Sequence, residues 1–253
     1  MMALAIAGRE LRSLFLSPLA WVVLAVTQFI LGYMFLTQLQ VYVEYQPRLA
    51  GLESAPGVTE VVGAALYSSA SVVFLLVAPL VCMRLLAEER QQDSLTLLLA
   101  APVSATDIVL GKFLGAMGFF SVMIVLVTLM PLSLYAGTHI DLGQLAACVL
   151  ALFLLLAAFS ALGLFISSLT AQPMIAAVST FAALLLLWII DWATSTGSQQ
   201  QSSVLFTYLS MNHHFQPLLA GIFSSTNALY FVLFAGTFLG LTIWRLDVDR
   251  LQR

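Results

Sequence analysis

Charge is what this chain has least of. Of its 253 residues only 8% are Asp, Glu, Lys or Arg, against 61% that are apolar. A soluble globular chain carries about 25% charged residues, so a soluble domain is excluded first. The net charge of −3 and the lack of a basic stripe with interleaved aromatics exclude a nucleic-acid partner. Cysteine is scarce too: Cys82 and Cys148 both lie inside apolar runs and read as small core residues, neither a disulfide nor a redox pair. His213 and His214 are adjacent, so on a helix they point about 100° apart. With no Cys or carboxylate near them in sequence, they read as an interfacial polar pair and no metal site is expected.

Catalytic signatures are missing as well. There is no H-E-x-x-H, G-x-S-x-G or C-x-x-C, and no catalytic residue is expected. Gly111-Lys112 resembles the end of a phosphate-binding loop but has Thr106 where the upstream glycine belongs and Phe113 where the hydroxyl belongs. The chain therefore carries no ATPase of its own and no cofactor. The apolar runs are nearly free of ionisable groups; only Asp191 and Arg84 approach membrane depth, both at ends of runs. An ion channel or secondary carrier keeps charges near mid-membrane, and an integral-membrane enzyme needs a polar cluster there. Both remain as alternatives without a residue to support them.

What is present is hydrocarbon. Mean hydropathy is +1.03, and the apolar runs divide into lengths that suit crossings of ~20 residues. The expected fold is all-α integral membrane, one domain over residues 1–253, with six transmembrane helices at about 18–39, 61–86, 108–135, 145–169, 173–192 and 228–245. Residues 40–60 and 193–227 are expected as loops, the second interrupted by apolar runs, 204–209 and 215–223, too short to cross. Pro79 is expected to kink the second span.

Ahead of the first span, residues 1–17 set Leu4, Leu11, Leu14 and Phe15 against Arg9, Glu10, Arg12 and Ser13. That periodicity suits a helix lying in the membrane interface, apolar side down. Ser17-Pro18 then supplies a cap and a first-turn proline. Gly111-x-x-x-Gly115 and Gly236-x-x-x-Gly240 provide small-residue faces for helix packing, either within the chain or as a dimer seam. Placing both termini in the cytoplasm puts Arg9, Arg12, Arg84, Arg90, Lys112, Arg245, Arg250 and Arg253 on that side and only Arg48 on the other. The rule that cytoplasmic loops collect Lys and Arg fixes this orientation.

Between the second and third spans, residues 87–107 form a polar and amphipathic island. Leu95, Leu98 and Leu99 recur at helical spacing, and Ala101-Pro102 ends the run. Ser104 and Asp107 then make a capping-box pattern for the third span. Periodicity leaves two readings, a docking helix or a solvated connector.

The run AEERQQDSLTLLLAAPVSATDIVLGK resembles the cytoplasmic loop of ABC-2 type permeases, and is most similar to the gliding-motility-associated branch. The shared features fall at Glu88-Glu89, Leu95 to Leu99, Pro102-Val103-Ser104 and Ile108 to Lys112; Asp93-Ser94 departs from the family's usual Gly-Thr. The resemblance implies a coupling helix seated on a separate nucleotide-binding ATPase subunit, which binds ATP and Mg, through Glu88, Glu89, Arg90, Leu95, Leu98, Pro102 and Ser104. It implies an N-terminal "elbow" helix in residues 1–17 and a second, smaller contact at Thr170 to Pro173. It also implies a homodimer or paired permease in a bacterial cytoplasmic (inner) membrane, surrounded by lipid, with an accessory membrane protein at the 193–227 loop. The activity implied is ATP-driven export, or force transmission across the membrane.

Overall fold

The computed structural model describes residues 2–49, 57–91, 104–136, 140–196, 210–222 and 224–251. Among them the regular structure is helical throughout. In order come α1 (Met2–Leu16), α2 (Pro18–Leu49), a π-helical turn (Thr59–Gly63) leading into α3 (Ala64–Cys82), and a short α4 (Ala87–Gln91). Then follow α5 (Ala105–Ser133), closed by a 3-10 turn (Leu134–Ala136), α6 (Leu142–Leu169), α7 (Pro173–Thr196), α8 (Met211–Leu219) and α9 (Ser225–Leu251). A helix satisfies its backbone donors and acceptors within its own segment, which hydrocarbon surroundings demand.

Polar side chains mark where these helices start. Ser104 caps α5 by accepting from the Asp107 N–H at 3.1 Å. The Asp107 carboxylate receives the Ser104 hydroxyl itself at 2.7 Å, so the pair closes on itself rather than as the reciprocal box. Asp141 caps α6 through the N–H groups of Gly143 and Gln144, and Ser210 caps α8 through that of His213. After α8 the chain turns at Gly221, whose φ of 79° lies in the left-handed region that glycine adopts without strain.

α3 and α6 form the centre. Their apolar windows are each 67% buried, whereas those of α2 and α9 are 22% buried and face outward. Phe74 on α3 meets Phe120 on α5 edge to face at 6.3 Å, and Tyr67 shares a 2.8 Å hydrogen bond with Thr128 across the same pair of helices. Gly163 on α6 admits Cys82 of α3 so closely that a Cβ there would lie 2.6 Å from that of Cys82. Both cysteines are free and buried.

Among the described residues five helical stretches are long and apolar enough to cross a membrane: Pro18–Gln46, Thr59–Gln91, Ala105–Ser133, Leu142–Leu169 and Ser225–Arg250; the apolar stretch of α7, Pro173–Ile189, is shorter. Two boundaries differ from expectation. The first long helix does not stop at residue 39 but continues as regular helix to Leu49, because Gln40–Gln46 contains no glycine or proline to end it and Pro47 falls in the last turn. The second run does not merely kink at Pro79. It breaks after Cys82 and restarts as α4 at Ala87.

Candidate functional site

The break between α3 and α4 leaves backbone donors without helical partners. Ser167, fully buried near the end of α6, fills the gap: its hydroxyl oxygen accepts from the N–H groups of Leu86 at 3.2 Å and Ala87 at 2.9 Å, and it lies 3.3 Å from the Met83 carbonyl, to which it donates. A side chain some eighty residues away thus sets the direction in which α4 leaves the bundle. α4 also lies against α6 and α7, beside their connecting turn, where Thr170 accepts the Gln172 N–H at 3.1 Å.

α4 carries Glu88, Glu89 and Arg90, and each is held by a different neighbour. Glu88 pairs with Arg84 one turn earlier at 3.2 Å. Glu89 accepts from Lys112 of α5 at 2.8 Å and approaches Arg9 of α1 at 3.6 Å. Arg90 pairs with Asp249 near the end of α9, which also faces Arg245 at 3.7 Å. The second partner of Lys112 is Glu10 of α1, at 2.7 Å. Lys112 is only 1% exposed. Burying an ammonium costs several kcal/mol unless it is paired; two carboxylates from separate helices provide that pairing. The result is one ion-pair knot joining α1, α4 and α5, and a second joining α4 to α9.

α1 is brought in by glycine. A Cβ on Gly111 would meet Ile6 Cβ at 2.7 Å and the Ala3 carbonyl oxygen at 2.9 Å; one on Gly115 would meet Glu10 Cβ at 2.7 Å. Gly118 continues the same face against Leu11. This close approach corrects the expected use of α1's apolar side. Leu14 is buried and Leu11 and Phe15 pack against the protein core, while Leu4 is exposed; Phe15 reaches Phe119 of α5 at 5.4 Å. The glycine groove lets the stripe face protein instead of acyl chains. Ser17 differs as well: its hydroxyl accepts from Arg84 Nη1 at 2.7 Å. Between α1 and the α3–α4 break lies a cavity of about 410 Å³, bordered by Arg9, Glu10, Ser13, Ser17, Arg84 and Lys112, among others.

Of the residues singled out for partner docking, Glu88, Glu89 and Arg90 come together in this knot, and Ser104 caps the next helix. Leu95, Leu98 and Pro102 lie outside the described residues. Gly111 and Gly115 face α1, whereas a Cβ on Gly236 or Gly240 would meet nothing within 4 Å. Sequence reasoning missed Glu10 and Ser167 as site residues. Glu10 had a signal, an acid inside an otherwise basic interfacial segment; Ser167 had none. His214, at the opposite end, is buried, hydrogen-bonded to Asn227 at 2.9 Å and stacked on Tyr230 at 4.3 Å. Among the described residues no group of His, Cys, Asp and Glu is placed to hold a metal.

A bundle of long apolar helices, tied at one end by ion pairs around a short polar helix, defines a multi-pass membrane protein with a polar handle. A family model described as ABC-2 family transporter protein matches residues 4–249, nearly the whole chain. The chain belongs to that family, and so to the membrane permeases of ABC transporters. No curated protein matches the sequence.

Proposed function

We propose that this chain is the permease subunit of an ATP-driven transporter whose separate ATPase subunit binds ATP and Mg and docks on residues 87–107. The observation that carries this reading is the knot itself. Glu88, Glu89 and Arg90 are tied to Arg84, Lys112, Arg9 and Asp249, so a push on α4 reaches α1, α5 and α9 together. The chain's lack of a phosphate-binding loop makes an external source of energy necessary.

In this reading α7 completes six spans, both termini and residues 87–107 face the cytoplasm of a bacterial inner membrane, α1 is the elbow helix, and residues 92–103 complete the coupling helix. The open Gly236-x-x-x-Gly240 face of α9 supports pairing with a second permease, identical or related. The similarity of residues 87–112 to the gliding-motility-associated branch supports an accessory membrane protein at residues 193–227 and a role in export or force transmission.

The test is co-purification of the ATPase subunit with the full-length permease. Glu88→Arg combined with Leu98→Arg should abolish it while leaving the permease folded. Retention of the ATPase by the folded double variant would remove residues 87–107 as the docking site.

A further inference from the structure

Three cations, Arg9, Arg84 and Lys112, and three carboxylates, Glu10, Glu88 and Glu89, line the cavity between α1 and the α3–α4 break, and the hydrogen-bond donors still to spare are on its arginines. Its acids already hold cations: Glu10 and Glu89 grip Lys112, and Glu88 grips Arg84. Its arginines are less fully engaged. Arg9 is 70% exposed and has one ion-pair contact, at 3.6 Å. Arg84 uses Nε on Glu88 and Nη1 on Ser17, which leaves Nη2 among its five N–H donors' positions to serve another acceptor. The Ser13 hydroxyl borders the same space on the exposed side of α1. Two guanidinium groups and a hydroxyl around about 410 Å³ match a phosphate, whose oxygens take charge-assisted hydrogen bonds from arginine forks.

The surroundings say which phosphate. Immediately beside the cavity the chain exposes Leu16 at the end of α1 and Leu19, Trp21 and Val22 at the start of α2, a surface fit for acyl chains. The Trp21 indole N–H is satisfied by the Phe15 carbonyl at 2.8 Å, which fixes the ring at the junction of the two helices. Tryptophan so placed marks the head-group level of a bilayer.

We propose that this cavity binds the phosphodiester of a glycerophospholipid from the adjacent leaflet, with Arg9, Arg84 and Ser13 as donors and the acyl chains along the first turns of α2. The inference rests on the membrane-spanning reading and is independent of where the ATPase docks.

The test measures phospholipid retained by the full-length protein in detergent, by native mass spectrometry, with dioleoyl phosphatidylglycerol and dioleoyl phosphatidylethanolamine as probes. Arg9→Gln with Arg84→Gln should weaken retention of either probe by more than about tenfold, since even one charge-assisted hydrogen bond is worth about that much affinity and two guanidinium donors are removed. Ser13→Phe fills the cavity without touching an ion pair and should do the same; it decides the matter if the double variant does not fold. Dioleoylglycerol should neither bind nor compete, and millimolar inorganic phosphate should leave the bound lipid in place. Unchanged retention in the folded variants overturns the proposal. So does equal binding of dioleoylglycerol, which makes the surface merely apolar, or displacement by inorganic phosphate alone, which makes it a soluble-anion site.

Discussion

Two serines of α6, two turns apart on one helical face, are both fully buried, and their chemistry differs. Ser167 accepts the N–H groups of Leu86 and Ala87 where α3 gives way to α4. Ser160 presents a buried hydroxyl without a hydrogen-bond partner. A buried donor stripped of its acceptor costs about 1–3 kcal/mol, whereas removing a hydroxyl that bonds to nothing removes only its own desolvation penalty. Ser167→Ala should therefore lower the midpoint of thermal unfolding in detergent by an amount equivalent to about 1–3 kcal/mol, and Ser160→Ala should leave it unchanged or raise it. Equal effects would mean that Ser167 does not support the break. Neither role is visible in the sequence. Both residues read as small polar members of an apolar run, and the partners of Ser167 lie some eighty positions away. Lys112 shows the same limit. It reads as a cation at the start of a span, and only the packed structure shows it 1% exposed between Glu10 and Glu89.

At the scale of elements, two identical-looking glycine motifs do different work. Gly111 and Gly115 admit α1 to within 2.7 Å of where their Cβ atoms would be, while Gly236 and Gly240 face open space. Adding volume to a tightly packed contact costs about 1–3 kcal/mol in strain. Gly115→Val should push α1 away, separate Glu10 from Lys112 and expose Arg9 and Arg12 to faster cleavage by trypsin. Gly236→Val should leave trypsin sensitivity and thermal stability of the single chain unchanged. If both variants loosen α1 alike, the glycine groove is not what seats it. The five long spans were legible because lipid imposes a compositional rule that needs no partner, whereas the expected span at 173–192 has a shorter apolar stretch, Pro173–Ile189. Which face of a span meets which neighbour depends on shape across helices, and spacing within one helix does not encode it. The amphipathic stripe of α1 illustrates this: its period was right, but glycines of α5 turned it toward protein.

At the scale of the whole molecule, charge is distributed with one sign of purpose. Arg9, Arg84, Arg90, Lys112 and Arg245 all join ion pairs at a single end of the bundle, whereas Arg48 belongs to the last turn of α2. Loops that remain in the cytoplasm gather Lys and Arg, so the proposed function requires the knotted end to face the cytoplasm, where an ATPase could reach α4. Single-cysteine labelling checks it. In a background of Cys82→Ala and Cys148→Ala, both sites being buried, Ser13→Cys places a thiol on exposed α1 at the knotted end. Tyr135→Cys places one at the far end of α5, where Tyr135 is 62% exposed. A membrane-impermeant maleimide should label Tyr135→Cys in cells whose inner membrane is intact and Ser13→Cys only once that membrane is opened. The reverse pattern would set Glu88, Glu89 and Arg90 on the side without ATP, and no cytosolic engine could then move the bundle through them.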